Sequence, residues 1–123
     1  MIISGLLFRE RTPYKYEQTL PFITVVIAAR NEENNLPNLL DDLVNQTIDK
    51  NKFEVIIAND RSIDKTGEII NEYSNRYKFI KAIHIIKRAK MAPKKYALKN
   101  AINKSKGEII LSTDADCRVS NDW

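Results

Sequence analysis

The feature that most constrains the fold is a regular alternation of two hydrophobic patterns along the chain. Apolar segments that read as strands occur at 22–29, 53–60, 79–86 and 108–113; the first is a continuous run rich in β-branched residues, typical of a strand buried on both faces, and the third is mixed. Segments with apolar residues at helical spacing separate them, at 31–46, 62–77 and 94–107. Helical connections of this length require parallel neighbours. The order βαβαβαβ therefore predicts an α/β fold, an open and mostly parallel sheet with flanking helices, with the third strand nearer an edge.

Composition limits the class of protein. The chain has 123 residues, enough for one domain, and its 43% hydrophobic and 29% charged residues are typical of a globular protein rather than a disordered one. The net charge of +4 is too small to indicate a partner by itself. The single cysteine, Cys117, excludes an internal disulfide and fits a reducing compartment.

The first 21 residues do not fit the alternating pattern. Their apolar start is too short and wrongly ordered for a signal peptide, and no run in the chain approaches the roughly 20 apolar residues of a membrane span. Residues 1–21 are therefore expected to form a leader that is either disordered or juxtamembrane. The folded domain is expected to begin at residue 22.

Polar residues follow three of the four predicted strands, at the end of the sheet where ligands bind in open α/β folds. Asp114 and Asp116 end the last apolar run, and their mutual repulsion favours a cation, with Mg²⁺ or Mn²⁺ suited to oxygen ligands. Asp60 ends the second run and could accept hydrogen bonds from a ligand. The alternatives are a solvated acidic turn at Asp114–Asp116 and a capping or Asx-turn role for Asp60.

A basic stretch precedes the acidic pair. Eight basic residues and no acid lie between Ile85 and Gly107. Lys104 and Lys106 suit a solvated helix C-terminus. Lys94 and Lys95 fall at a helix N-terminus, where positive charge opposes the macrodipole, so a bound diphosphate would explain them. The chain lacks the glycine-rich fingerprints of dinucleotide-binding and P-loop proteins.

Four segments together resemble family 2 glycosyltransferases, an inverting group with the GT-A fold. They are "VVIAARNEENNL", "EVIIANDRSIDKT", "PKKYAL" and "GEIILSTDADC", which follow the order and spacing of the family motifs over residues 22–123. The last contains the family's Asp-x-Asp motif, and the second resembles its Asp-Asp-Gly-Ser turn. The chain departs from the family at Ala28 and Arg30, where Pro and Tyr are frequent, and at Asn59, Arg61 and Lys99.

The resemblance implies a role for each matched residue in binding a nucleotide-diphosphate sugar. The base and ribose would be bordered by Ala28, Ala29, Arg30 and Glu32. Asp60 would accept a hydrogen bond from the base, and Asp114 would lie by the ribose and the metal. Asp116 would coordinate Mg²⁺ or Mn²⁺ on the diphosphate. Lys94 or Lys95 would hold the nucleotide or its phosphates.

The resemblance also implies a function: metal-dependent, inverting transfer of a sugar, most commonly UDP-linked, to a lipid, polysaccharide or protein. The family's general base is expected beyond Trp123, so the chain is expected to be the donor-binding part of a longer enzyme, truncated at its C-terminus. The flank where later strands would pair predicts self-association. Nucleotide-sugar supply predicts a cytoplasmic location, at the inner face of a membrane if the leader adjoins a span.

Two other functions fit part of the sequence. A non-catalytic basic module for nucleic acid or anionic lipid explains the lysines but leaves Asp60, Asp114 and Asp116 without a role. A sugar-phosphate nucleotidyltransferase would also use acids and a metal. Such enzymes generally carry a glycine-rich loop after the first strand, and "AARNEENN" has no glycine.

Overall fold

The computed structural model describes residues 5–8 and 21–123. Five strands and three helices follow in the order β1 (Gly5–Phe8), β2 (Ile23–Ala29), α1 (Leu36–Val44), β3 (Phe53–Asp60), α2 (Thr66–Arg76), β4 (Ile80–Ile85), α3 (Pro93–Lys104) and β5 (Ile109–Asp114). Among the described residues, no helix has the length and apolarity needed to span a bilayer.

The strands form one sheet in the order β1-β5-β2-β3-β4. The pairs β2–β3, β2–β5 and β3–β4 are parallel, which confirms the predicted α/β fold, and β4 lies at an edge as expected. The chain builds outward from β2 to β4 and then returns to place β5 on the other side of β2. The strand order therefore reverses between β2 and β5, where open α/β sheets form their ligand crevice.

Strand β1 differs from the sequence-based expectation. Residues Gly5–Phe8 pair antiparallel with β5, in register with Ile109–Ser112, although they fall within the predicted leader. The flank of β5 was expected to be exposed; that was wrong, because β1 covers it. The free edges of the described sheet are β1 and β4. The rest of the leader, apart from Pro21, lies outside the described residues.

The sheet is buried on both faces because alternate residues of each strand point to opposite sides. Val25 and Ile27 of β2 pack with the buried leucines of α1 and with Ile70 of α2. Val26 faces the other way and packs with Ala97 and other residues of α3. All eight residues of β3 are buried, which agrees with the uninterrupted apolar residues at 55–58.

A buried carboxylate joins the amino ends of the strands. Glu54, 2% exposed, accepts hydrogen bonds from the Thr24 hydroxyl, the Lys81 ammonium and the Lys106 backbone N–H, each at 2.7 Å. Thr24 Oγ1 in turn accepts the N–H of Gly107 at 2.8 Å. Helix α3 ends at Lys104, three residues before the end of the predicted helical segment 94–107, and the N–H groups of Lys106 and Gly107 donate to this network.

Candidate functional site

A cleft of about 400 Å³ opens at the carboxyl ends of β2, β3 and β5. It is lined by Ala28, Ala29, Arg30, Glu32, Asp60, Pro93, Lys94, Asp114, Ala115 and Asp116. Every site residue predicted from the sequence is among them except Lys95. Pro93 and Ala115 were not predicted as site residues, although both adjoin residues that were.

The strand register explains why residues distant in sequence meet in this cleft. Ala28 of β2 is aligned with Ala58 of β3 on one side and with Asp114 of β5 on the other. Asp60 and Asp114 are the last residues of their strands, so both carboxylates lie at the same end of the sheet. Helix α3 packs on β2 and β3, and its first turn brings Lys94 to the cleft.

The acidic pair could hold a hard divalent cation. Oxygen atoms of Asp114 and Asp116 and the sulfur of Cys117 lie within 4.8 Å of one another. Ligands of one Mg²⁺ or Mn²⁺ ion, each about 2.1 Å from the metal, are separated by roughly 3 to 4 Å, so a small rotation would suffice. Asp116 is exposed and Asp114 is half-buried, which leaves room for phosphate oxygens and water. The Cys117 sulfur is a softer ligand that these ions prefer less.

Lys94 contacts the acidic pair directly. Its Nζ donates to Asp114 Oδ1 at 2.5 Å, across the mouth of the cleft. Lys95 is exposed and does not line the cleft. The sequence left the choice between these two lysines open, and only Lys94 lies where it could reach a ligand in this cleft. A phosphate group there would be a second partner for its ammonium group.

Asp60 is the most buried acid of the cleft, at 5% exposure. Arg61 Nε donates to its Oδ1 at 3.0 Å, which offsets the burial of the charge. Arg61 has φ of 54°, the left-handed region that glycine adopts most readily. The backbone at Arg61 therefore keeps the conformation suited to the family's glycine, while its side chain pairs with the neighbouring carboxylate.

Asn59 stands where the family has the first Asp of its Asp-Asp turn, and it has a structural role here. Its Oδ1 accepts the Ser62 N–H at 3.1 Å, and its Nδ2 lies 3.0 Å from His84 Nδ1. Asn59 is not among the residues that line the cleft. An amide serves this position because it both donates and accepts hydrogen bonds.

The two loops that border the cleft are joined by hydrogen bonds. The N–H of Asn31 donates to Ser62 Oγ at 3.0 Å, and the N–H of Ile63 donates to Asn31 Oδ1 at 2.9 Å. The N–H of Glu32 donates to Thr66 Oγ1 at 2.8 Å. These bonds fix the loop after β2, which carries Arg30 and Glu32, against the loop after β3.

Asp64 contributes to the same contact between loops. Its Oδ2 accepts the Glu33 N–H at 3.2 Å, and its Oδ1 accepts the Thr66 N–H at 2.9 Å. Desolvation tends to raise the pKa of Asp64, but these hydrogen bonds outweigh it and hold that pKa below its usual value. The Ser62 hydroxyl also joins the two loops by accepting the Asn31 N–H, a contact between residues far apart in sequence that local pattern does not reveal.

Replacement of Thr66 by Val is expected to lower the free energy of unfolding by about 1 to 3 kcal/mol. Thr66 is fully buried, and valine would keep its shape while leaving the Glu32 N–H without its acceptor. Urea denaturation would measure the loss. Thr47→Val, at an exposed position, is the control and should change stability by no more than about 0.5 kcal/mol. Equal losses in the two variants would contradict a specific role for the bond between the loops.

Comparison with known proteins agrees with the fold and the cleft. The model of glycosyl transferase family 2 matches residues 24–123. The probable glycosyltransferase YdaM of Bacillus subtilis is 38% identical over 97 residues, 79% of this chain and 23% of that protein. Beta-monoglucosyldiacylglycerol synthase of Trichormus variabilis is 34% identical over 122 residues, 96% of this chain and 25% of that protein. The chain thus spans about a quarter of the length of these relatives.

Solved structures show the same arrangement of strands and helices. S. aureus TarS residues 1–349, in complex with UDP, matches with a TM-score of 0.72 and 27% identity over 81% of this chain and 29% of that one. The mannosyltransferase PcManGT of Pyrobaculum calidifontis, in complex with GDP-Man and Mn²⁺, matches with a TM-score of 0.67 and 26% identity over 80% of this chain and 28% of that one. The family match covers nearly the whole described domain, and the chain belongs to glycosyl transferase family 2.

Proposed function

We propose that this chain forms the donor-binding part of an inverting glycosyltransferase that uses a nucleotide-diphosphate sugar and a divalent metal ion. The observation that carries the proposal is the meeting of Asp60, Lys94, Asp114 and Asp116 in one cleft at the carboxyl ends of a family 2 sheet. The relatives support it, since their names state glucosyltransferase and related activities. Residues 22–123 form this donor-binding part.

Each end of the nucleotide has suitable partners in the cleft. The base and ribose would lie along Ala28, Ala29, Arg30 and Glu32, with the Asp60 carboxylate accepting a hydrogen bond from a base N–H. The diphosphate would lie near Lys94 and the acidic pair. We propose uridine as the base, because TarS was solved with UDP and with UDP-GlcNAc; guanosine is the alternative, because PcManGT was solved with GDP-Man.

The cleft is suited to stabilising a leaving diphosphate. Asp114 and Asp116 would hold Mg²⁺ or Mn²⁺, which when bound would offset the negative charge that develops on the diphosphate. Lys94 would add a fixed positive charge at the same place, and positioned charges of this kind are among the larger contributions to catalysis. We assign no described residue as the base that deprotonates the acceptor hydroxyl.

The remaining parts of the proposal concern partners and location. The acceptor is a lipid, polysaccharide or protein, and the relatives that act on lipids and on a poly(ribitol-phosphate) are consistent with this range. Nucleotide sugars are supplied in the cytoplasm, so we place the domain there, at the inner face of a membrane if residues 1–21 adjoin a span. Self-association remains a prediction for the free edges β1 and β4.

Calorimetric titration of UDP tests the proposed function. Mn²⁺ is expected to strengthen UDP binding to the wild-type chain and to have no such effect on Asp116→Ala, because that variant lacks one of the two proposed metal ligands. Asp122→Ala, at an exposed acid outside the cleft, is the control and should behave as wild type. Titration of GDP in parallel measures the preference for the base.

Two results would contradict the proposal. One is a folded chain that binds neither UDP nor GDP, with or without Mn²⁺. The other is binding to nucleic acid or anionic vesicles that falls steeply with salt and does not depend on Mn²⁺, which would favour the basic binding module. Circular dichroism of the same sample establishes that it is folded.

A further inference from the structure

The segment that follows the acidic pair, residues 118–120, is hydrogen-bonded to helix α1 and to the chain just after it. Asp42 of α1 accepts Arg118 Nε at 2.7 Å, Arg118 Nη2 at 2.9 Å and the Val119 N–H at 3.1 Å. Gln46, two residues after the end of α1, donates from Nε2 to the Ser120 carbonyl at 2.5 Å. Asp42 therefore binds the segment nearer to Asp116 than Gln46 does, and it holds both a side chain and the backbone of the segment.

The Asp42 carboxylate is well suited to this contact. It is largely buried, with 14% of its side chain exposed, whereas its partner Arg118 is 65% exposed. Arg118 binds both carboxylate oxygens in a bidentate ion pair, and Oδ2 accepts a second hydrogen bond from the Val119 N–H. Hydrogen bonds from Arg118 hold the pKa of Asp42 below its usual value, so Asp42 is ionised at neutral pH.

Asp116 lies between two anchored points of the chain. On one side, Asp114 ends β5, Ala115 is 2% exposed, and the Cys117 N–H donates to the Asp114 carbonyl at 3.1 Å. On the other side, Val119 is 7% exposed and its N–H is held by Asp42. The exposed Asp116 side chain projects from the short turn between these anchors.

We propose that Asp42 is a positioning residue for the metal site: through Arg118 and Val119 it holds the turn that presents Asp116 beside Asp114. This inference rests on the proposed function. If the turn is already ordered, metal binding requires little further loss of conformational entropy. A loose turn must be ordered when the ion binds, and this lowers the affinity for the metal. Residues that orient metal ligands in this way typically change metal affinity by about 10- to 100-fold when replaced.

The test compares two neighbouring acids of α1. Asp42→Asn places an N–H₂ group where a carboxylate oxygen accepts donors, so at least one bond to the segment is lost. Asp41→Asn removes the same charge from the same helix, but Asp41 bonds to the Tyr73 hydroxyl, away from the metal site. Titration of Mn²⁺ in the presence of UDP, followed by the electron paramagnetic resonance signal of free Mn²⁺, should show about tenfold weaker binding for Asp42→Asn. Asp41→Asn should stay within about twofold of wild type, and UDP binding without metal should be unchanged in both.

Cys117 provides a second readout that does not depend on metal binding. It is the only cysteine, it lies next to Asp116, and it is partly buried. Loosening the turn in Asp42→Asn should raise the rate at which a thiol reagent labels it, by several-fold, while Asp41→Asn leaves the rate unchanged. Arg118→Gln removes the side-chain pair but leaves the Val119 bond, so an intermediate rate is expected.

The outcomes separate this inference from the function on which it rests. Wild-type protein that binds no Mn²⁺ and no UDP would overturn the proposed function, and the labelling rates would still report whether Asp42 holds the turn. Equal Mn²⁺ affinities and equal labelling rates for Asp42→Asn and Asp41→Asn would overturn the positioning role. Thermal unfolding of each variant confirms that both acids are compared in folded protein.

Discussion

Glu54→Ala is expected to lower the free energy of unfolding by about 3 kcal/mol at pH 7, the low end of the loss seen when one partner of a buried ion pair is removed. The substitution leaves the Thr24 hydroxyl and the Lys106 N–H without the acceptor that each has at 2.7 Å. Lys81 loses its partner too, but its side chain is 43% exposed and can be hydrated, so the low end of the range applies. Denaturation by urea at several pH values measures the effect.

The loss should depend on pH in a defined direction. Burial alone would raise the pKa of Glu54, but the hydrogen bonds from Lys81, Lys106 and Thr24 outweigh it and hold the pKa below 4.5. A carboxyl group whose pKa is lower in the folded state stabilises the fold above its unfolded pKa, and this contribution is lost as pH falls through the folded pKa. Wild type should therefore lose stability below about pH 4.5, and the difference from Glu54→Ala should shrink there.

The control for this prediction is Glu68→Ala, at an exposed acid in the first turn of α2. It should change stability by less than about 1 kcal/mol. Two results would show that the buried network does not stabilise the fold through its charge. One is a loss of unfolding free energy in Glu54→Ala that is the same at pH 3 and pH 7. The other is a loss no larger than that of Glu68→Ala.

Asp114→Ala is expected to weaken UDP binding in the presence of Mn²⁺ by about 30- to 100-fold, equivalent to about 2 to 3 kcal/mol. The effect should be large because one carboxylate has two roles. Asp114 is a proposed metal ligand, and it also holds the Lys94 ammonium in the cleft at 2.5 Å. Calorimetry with and without Mn²⁺ measures both parts, since the contribution of Lys94 should remain when the metal is omitted.

Lys94→Met separates the two roles. The positive charge of Lys94 beside Asp114 opposes the binding of a divalent cation there, so Mn²⁺ alone should bind about two- to fivefold more tightly to the variant. UDP should bind about tenfold more weakly, because a charge-assisted partner of the phosphates is gone. Lys95→Met, at the adjacent exposed lysine outside the cleft, should change neither affinity. Equal effects of the two lysine variants would contradict the assignment of Lys94.

Most of the fold follows from hydrophobic periodicity. The segments at 22–29 and 53–60 match β2 and β3 to within one residue, because strands buried on both faces carry mainly apolar residues. Strand β1 could not be predicted, since four residues, "GLLF", are too few for a period to be recognised. Its strand conformation is tied to pairing with β5, which is a tertiary interaction.

The cleft was largely predictable because parallel strands bring their carboxyl ends together, so an acid that ends a strand marks the site. The choice between Lys94 and Lys95 could not be predicted. Successive residues of a helix differ by about 100° in direction, so the residue at which α3 begins determines which lysine faces the cleft. The contacts from Asp42 to Arg118 and from Asn31 to Ser62 join distant parts of the sequence, so no local sequence pattern predicts them.

The Glu54 network and the cleft lie at opposite ends of the same strands, and this separation bears on how readily the domain can be modified. Glu54 is the second residue of β3, whereas Asp60 is its last. Substitutions at exposed cleft positions such as Arg30 leave the buried network untouched. Libraries that vary the rim of the cleft should therefore retain a high fraction of folded members, which makes this domain a suitable starting point for laboratory evolution of the ligand preference of the cleft.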